Sequence, residues 1–214
     1  MRLVVFSDTH THHRKLVLPD GDVLIGCGDY SYQGEREVLL DFINWMGDQK
    51  HPHKIVVMGN HDRTADPKHI AYTPNLYEGL MKDKKIHYLF NSGVQIDGIN
   101  FWGSPYIPNL PMWAFHDGGK NKFEDVPPDV NVMITHGPPH RIRDYSMNFW
   151  GEKSHYGSVH LLNCVKNLKQ LKAHCFGHCH LPSGCEEIDG VKYINASICN
   201  EKYEPVRSVR VVEI

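Results

Sequence analysis

The sequence predicts an α/β protein in which two mixed β-sheets pack face to face, with helices on the outside. Short apolar runs of strand length surround a segment of helical periodicity near the N-terminus. Two Asp-Gly turns join alternating segments further along the chain, and a second helical segment lies between them. Because crossover helices join parallel strands and Asp-Gly turns join antiparallel ones, we expect both kinds of pairing.

The N-terminal part is typical of parallel strands with a crossover helix. Residues 3–6, 23–25 and 55–58 are apolar runs that end in polar residues, as buried strands do. Residues 36–46 carry apolar side chains at the spacing of one helix face: Val38, Leu39, Phe42, Ile43 and Met46. The order β, β, α, β predicts a parallel arrangement.

The C-terminal part predicts hairpins, further strands and a second helix. Apolar and polar residues alternate on both sides of an Asp-Gly turn in residues 94–102 and again in residues 186–194, which predicts two hairpins. Further strands are predicted at residues 130–135, 175–176 and 206–214. Ser158 is a candidate cap for a helix that runs to about Lys172. Residues 104–122 contain Pro, Gly and aromatic residues without a period, which predicts a loop.

Composition limits the size and the partners. With 214 residues, 41% of them hydrophobic and 22% charged, the chain is expected to form one globular domain over residues 1–214. The formal net charge is only -2, and Lys82, Lys84 and Lys85 form the one dense basic run. Extended nucleic acid is therefore disfavoured as a partner.

The N-terminus and the cysteines indicate a cytoplasmic protein with no membrane association. The first apolar run stops at Ser7, which is too short for a signal peptide or a membrane span. We therefore expect reduced thiols at the six cysteines, namely Cys27, Cys164, Cys175, Cys179, Cys185 and Cys199.

The candidate chemistry lies in five polar blocks, each of which follows a predicted strand. The blocks are Asp8-Thr9-His10, Gly28-Asp29, Gly59-Asn60-His61-Asp62, His136-Gly137 and Gly177-His178-Cys179-His180. Ligands of open α/β sheets collect beyond the carboxyl ends of the strands, so the five blocks can converge. Glycine in four of them allows close backbone approach. Carboxylate, imidazole and amide ligands suit Mn, Fe, Zn or Ni.

Each block has an ordinary structural interpretation as well. Gly-Asn-His-Asp is a common kind of turn sequence, and the two histidines of the last block could join Cys175 and Cys179 in a small zinc site. Taken alone, any one block is more typical of structure than of chemistry. Five in order, each after an apolar strand, favour one metal centre.

These five blocks resemble the calcineurin-like metallophosphoesterase superfamily, and the likeness extends from residue 3 to about residue 200. Residues 19–25, 102–105, 135–139 and 195–197 resemble, more narrowly, the small metallophosphoesterase-domain-containing phosphodiesterases. The resemblance implies an αββα sandwich with two divalent metal ions. The resemblance implies that Asp8, His10 and His180 hold one ion and that Asn60, His136 and His178 hold the other. It also implies that Asp29 bridges the two ions.

The resemblance also implies the reaction. A bridging hydroxide would attack phosphorus, His61 would stabilise the phosphoryl oxygens or protonate the leaving oxygen, and Asp62 would orient His61. Protein phosphatases of the superfamily have Asp and Arg where this chain has Tyr32 and Gln33, so protein phosphatase activity is not expected. The leading prediction is a phosphodiesterase for nucleotides or other small diesters. A phosphomonoesterase or nuclease of the same superfamily, and a metal-free protein-binding scaffold, are the alternatives.

Other histidines and aromatic residues have less specific interpretations. His12 and His13 follow the first block and are expected to be solvated. The aromatic rings in and beside the long loop are Trp102, Tyr106, Trp113 and Phe115. They could stack on a nucleotide base, but packing in the core is the commoner use of such rings.

Overall fold

A computed structural model describes residues 1–108, 110–148 and 150–214. The strands are β1 Arg2–Phe6, β2 Val23–Gly26, β3 His53–Val56, β4 His87–Tyr88, β5 Ser92–Ile96, β6 Ile99–Ser104, β7 Val132–Thr135, β8 Tyr145–Met147, β9 Lys153–His155, β10 Ala173–Phe176, β11 Gly184–Ile188, β12 Val191–Asn195 and β13 Arg210–Glu213. The α-helices are α1 Arg36–Gly47, α2 Leu76–Asp83 and α3 Val159–Asn167.

The first sheet has the strand order β13-β1-β2-β3-β4. Strands β1 to β4 pair in parallel, and β13 closes the edge antiparallel to β1. Helix α1 connects β2 to β3, as parallel neighbours require. The predicted parallel start with a crossover helix is thus confirmed.

The second sheet has the order β11-β12-β10-β7-β6-β5. Its four central strands are parallel, whereas β11 and β5 pair antiparallel at the two edges. Each edge strand belongs to one of the two predicted Asp-Gly hairpins. Strands β8 and β9 form a small separate hairpin.

The two sheets pack face to face around one apolar core, with helices on both outer faces. On β1, Leu3 and Val5 enter the core between the sheets, while Val4 and Phe6 face the helices α1 and α2. Leu161 and Val165 of α3 cover the outer face of the second sheet. The architecture is therefore the predicted α/β sandwich with flanking helices.

The C-terminal end of α3 is a correction. The predicted helix runs to about Lys172, but α3 ends at Asn167, and Leu168 is already extended, with φ -82° and ψ 96°. Leu168 and Leu171 are still buried beside the helix. The apolar spacing therefore continues past the helix end because the following segment packs in the same core.

Some elements were not expected from the sequence, namely α2, β4, β8 and β9. In the predicted loop of residues 104–122, Asn109 lies outside the described residues. Ser104 ends β6, and Ile107 and His116 form an isolated bridge. Across the described residues, every helix is too short or too polar to span a bilayer. The six cysteines are all free.

Candidate metal centre

Loops from both sheets meet at the carboxyl ends of the parallel strands. Asp8 follows β1, Asp29 follows β2, His136 follows β7 and His178 follows β10. Side-chain atoms able to bind metal lie within 4.8 Å of one another in three groups: Asp8, His10 and His180; His10, Asp29 and His61; and Asp29, His136 and His178. The predicted convergence of the blocks is thus present in the fold.

Main-chain carbonyls orient three of the imidazoles. Nδ1 of His10 lies 3.0 Å from the Ser31 carbonyl, and Nδ1 of His136 lies 2.8 Å from the carbonyl of residue 27. Nδ1 of His180 lies 2.8 Å from the carbonyl of residue 200. A carbonyl can only accept, so each Nδ1 carries a proton, and each Nε2 presents a lone pair when the ring is neutral. Metal-bound histidines are usually anchored in this way.

The free ring nitrogens and the acidic oxygens point towards common positions. Nε2 of His10 lies 3.4 Å from Nε2 of His180, which lies 3.4 Å from an Asp8 oxygen. Nε2 of His136 lies 2.9 Å from Asn60 Oδ1 and 3.2 Å from Asp29 Oδ2. Lone pairs that face one another at these distances fit a cation between them. The residues present therefore suit divalent metals with nitrogen and oxygen ligands.

The two carboxylates of the site are fixed by hydrogen bonds from the neighbouring loops. Asp8 accepts from the backbone N–H of His178 at 3.0 Å and from the Ser197 hydroxyl at 2.8 Å. Asp29 Oδ1 accepts from the backbone N–H of His61 at 2.8 Å, while Oδ2 faces His136. Both side chains are buried, so each is held with one edge towards the site.

The electrostatics favour an ionised Asp8 and a neutral His10, but a protonated His136. Burial raises the pKa of Asp8, but the hydrogen bond and charge of His180 outweigh it and hold that pKa below the usual value. Burial lowers the pKa of His136, whereas the Asp29 carboxylate raises it, to about 9. Burial lowers the pKa of His10 to about 4. An ionised carboxylate and a neutral imidazole are the forms that bind metal, and His136 would release a proton on binding.

Glycines allow the loops to approach one another, as predicted. A Cβ at Gly28 would lie 2.6 Å from Nδ1 of His136, and φ there is +102°. A Cβ at Gly59 would overlap Asp29 Oδ1, and one at Gly177 would overlap both Ser7 Oγ and an Asp8 oxygen. Any side chain at these positions would push the candidate ligands apart.

His61 lies at the open side of the site, and its orientation does not come from Asp62. Nδ1 of His61 lies 2.6 Å from the Tyr32 carbonyl, and its ring is 4.7 Å from the His10 ring. Asp62 accepts from backbone N–H groups on the β2 and β3 loops, including those of Asp29 and Gly59 at 3.0 and 2.9 Å. Asp62 therefore joins two ligand loops. Catalytic roles for His61 and Asp62 stay predictions.

The walls of the site include residues that the blocks did not predict. A cavity of about 240 Å³ beside the candidate ligands is also lined by Leu110, Trp113, Ser146, Glu201 and Tyr203. The Tyr203 ring centroid lies 4.6 Å from that of His10. Ser146 lies on β8 and the others on irregular segments. Only Trp113 was singled out from the sequence, as a ring that could stack on a base, and no motif spacing indicated the rest.

The less specific sequence interpretations have mixed outcomes. Trp102 and Phe115 pack in the core, whereas Trp113 lines the cavity. The prediction for His13 was wrong, because its ring is buried against Trp45 with Nε2 2.9 Å from Asp41. The alternative zinc site has no support from Cys175, which packs between the sheets.

Two packed sheets with flanking helices, and imidazoles and carboxylates gathered at their carboxyl edge, define a metal-dependent phosphoesterase. The chain belongs to the calcineurin-like phosphoesterase family, which matches residues 1–182.

Two relatives illustrate the likeness. The chain is 32% identical to human metallophosphoesterase domain-containing protein 1 over 233 residues, which cover 100% of this chain and 71% of that protein. It is 34% identical to the UPF0046 protein K07C11.7 of Caenorhabditis elegans over 94% of this chain and 71% of that protein. A solved structure, the protein of unknown function AQ665 from Aquifex aeolicus, covers 98% of this chain and 95% of its own, with 16% identity and a TM-score of 0.41.

Proposed function

We propose that this protein is a phosphodiesterase that uses two divalent metal ions, drawn from Mn, Fe, Zn and Ni. The observation that carries the proposal is the position of Asp29. Its carboxylate belongs to a group with His136 and His178 and also to a group with His10 and His61. A carboxylate shared between two sets of ligands is well placed to bridge two cations.

In this proposal the seven predicted ligands keep their assignments. Asp8, His10 and His180 hold one ion, Asn60, His136 and His178 hold the other, and Asp29 bridges. Bound ions supply charge neutralisation for the phosphoryl oxygens and a water molecule of lowered pKa.

The protein side chains position the ester. The Tyr32 carbonyl holds Nδ1 of His61, which leaves Nε2 as the ring nitrogen available to a ligand in the cavity that His61 lines. From there it donates a hydrogen bond to the phosphoryl or leaving oxygen.

The positions of Tyr32 and Gln33 support a diester rather than a phosphoprotein as substrate. The Tyr32 ring stacks on His10 with centroids 5.5 Å apart, and the Gln33 amide oxygen accepts from Arg63 at 3.1 Å. Neither side chain can grip a second phosphate charge as an arginine would. A diester has one negative charge, whereas a monoester dianion has two and clamps to the cations. Trp113 adds an aromatic wall on which a nucleotide base can stack.

The first prediction concerns the ester class. After reconstitution with Mn, kcat/KM on bis(4-nitrophenyl) phosphate is expected to exceed that on 4-nitrophenyl phosphate. The release of nitrophenolate measures both rates. A monoester preferred by about tenfold or more would assign the site to a phosphomonoesterase instead. Inactivity on both esters with a full complement of metal would favour the protein-binding scaffold.

A further inference from the structure

A second cavity adjoins the candidate metal centre through the shared lining residue Trp113. Its volume is about 270 Å³, and its polar lining consists of Arg63, Asp66, Lys68, His69 and His116. Trp113 lines this cavity and also the cavity that contains the candidate ligands. We call the second cavity the basic cleft, after the residues just named.

The Trp113 indole connects the two cavities. Its ring centroid lies 4.3 Å from that of His61, on the side of the metal centre. The guanidinium carbon of Arg63 lies 5.9 Å from the same indole. A ligand that extends from the candidate metal centre along Trp113 would therefore contact the indole first and then the Arg63 guanidinium.

The charges of the basic cleft are not neutralised by its own acid. Asp66 Oδ1 accepts from the backbone N–H of Lys68 at 2.9 Å, and Oδ2 accepts from that of Phe115 at 2.6 Å. Within the described part of the chain, no carboxylate lies at ion-pair distance from Arg63 or Lys68. Arg63 donates to the neutral Gln33 amide and keeps further N–H donors. The lining therefore has two cationic side chains, Arg63 and Lys68, and one acidic side chain, Asp66, which gives the cleft a net positive charge.

We propose that the basic cleft binds a second anionic group on the substrate. Resting on the proposed phosphodiesterase function, this inference specifies the substrate class as nucleotide diesters that carry an additional phosphate. The scissile diester lies at the candidate metal ligands, the base or sugar lies along Trp113, and the additional phosphate contacts Arg63 and Lys68. Stacking over the indole and charge-assisted hydrogen bonds to the guanidinium are the interactions that recognise such an arm.

A pair of substrates that differ only in this phosphate tests the inference. The pair is thymidine 5′-(4-nitrophenyl phosphate) and its 3′-phosphorylated form, which share a scissile bond and a leaving group. The Mn-loaded protein is expected to prefer the 3′-phosphorylated form by about fivefold in kcat/KM at low salt. The preference is expected to shrink at high salt, because exposed charges are screened.

A double variant, Arg63→Gln with Lys68→Gln, removes both cations and keeps hydrogen-bonding side chains. Its ratio of kcat/KM between the two substrates is expected to fall close to one. The matched control is Lys50→Gln with Lys82→Gln, which removes two charges from exposed positions outside both cavities. The control is expected to keep the wild-type ratio, and thermal unfolding checks that both variants are folded.

Calorimetry provides a readout that does not depend on turnover. Thymidine 3′,5′-bisphosphate is expected to bind the Mn-loaded protein about fivefold more tightly than thymidine 5′-monophosphate, and the double variant is expected to lose the difference. Equal binding of the two nucleotides by the wild type would overturn the proposal that the basic cleft binds an additional phosphate. If neither chromogenic diester is hydrolysed, the phosphodiesterase proposal fails, and the calorimetric comparison still decides whether the cleft binds phosphate.

Discussion

Four candidate ligands have backbone conformations that L-residues rarely adopt. The φ angles of Asp8, His10, Asp29 and His178 are 54°, 38°, 58° and 67°. Non-glycine residues in this region are uncommon and, where they cluster, are often functional. Each strained residue turns the chain sharply after a strand, so its side chain points into the site rather than along the sheet. A cost in backbone strain at four candidate ligands is expected where the side chains have a function, here as ligands of the candidate metal centre.

The second prediction concerns His61. Because His61 lines the cavity and the Tyr32 carbonyl holds its Nδ1, His61→Ala is expected to remove the ring nitrogen that is proposed to donate to the ester oxygen. On a diester with a poor leaving group the rate should fall by about 10²–10⁴, and on a nitrophenyl ester it should fall less. Steady-state rates on the two esters measure the difference.

Metal content distinguishes a donor role of His61 from a ligand role, which is the alternative because His61 also belongs to a group of candidate ligands. A donor role predicts a normal metal content by elemental analysis in His61→Ala. Loss of one ion would instead make His61 a ligand, and equal rate losses on both esters would favour oxyanion stabilisation. His160→Ala, which changes an exposed histidine on α3, is the control and should match the wild type.

At the scale of elements, the ligand loops depend on how closely the strand ends approach. Gly59 follows β3, and a Cβ there would overlap Asp29 Oδ1 and lie 2.5 Å from the Asp29 backbone nitrogen. The β2 and β3 loops can therefore share their hydrogen bonds to Asp62 only if residue 59 lacks a side chain.

The third prediction compares two glycines. Gly59→Ala is expected to destabilise the fold by about 1–3 kcal/mol and to lower metal content, because the new methyl group displaces Asp29. Gly79→Ala, in α2, meets nothing within 4 Å and is expected to stabilise by about 0.5–1 kcal/mol. Denaturant unfolding measures both changes. A Gly59→Ala variant with wild-type stability and metal content would contradict the close approach of these loops.

Sequence periodicity predicted the long elements and failed at the short ones. Strands β1, β2, β3 and β7 were predicted because each is an apolar run with polar ends, and α1 was predicted because its apolar spacing is regular. Helix α2 has only eight residues, contains Gly79, and follows Asn75, which has a left-handed conformation. Its apolar spacing is therefore too short to distinguish a helix from a loop in the sequence. Hairpin β8–β9 has exposed and half-buried residues and no apolar face to detect.

At the scale of the whole molecule, the candidate metal centre draws its residues from both sheets. Asp8, Asp29 and Asn60 follow strands of the first sheet, whereas His136 and His178 follow strands of the second. The sequence predicted this convergence because parallel strands carry their ligands at one edge. It offered base stacking as one of two uses for Trp113, but it could not predict Tyr203 or the basic cleft, because the packing of irregular loops places them.

The last prediction follows from the position of the ligands on both sheets. Ions bound there stabilise only the folded protein, so each ion at about 100 times its Kd should add about 2.7 kcal/mol. For a chain of this size each ion corresponds to a rise in Tm of roughly 5–10 °C over the chelator-treated protein, measured by calorimetry with and without Mn. Asp29→Asn is expected to lose at least about half of the rise, because an amide cannot neutralise two cations. Asp20→Asn, on an exposed loop, is the matched control and should keep the full rise. Equal Tm values for loaded and metal-free wild-type protein, at confirmed metal occupancy, would show that the ions do not hold the two sheets together.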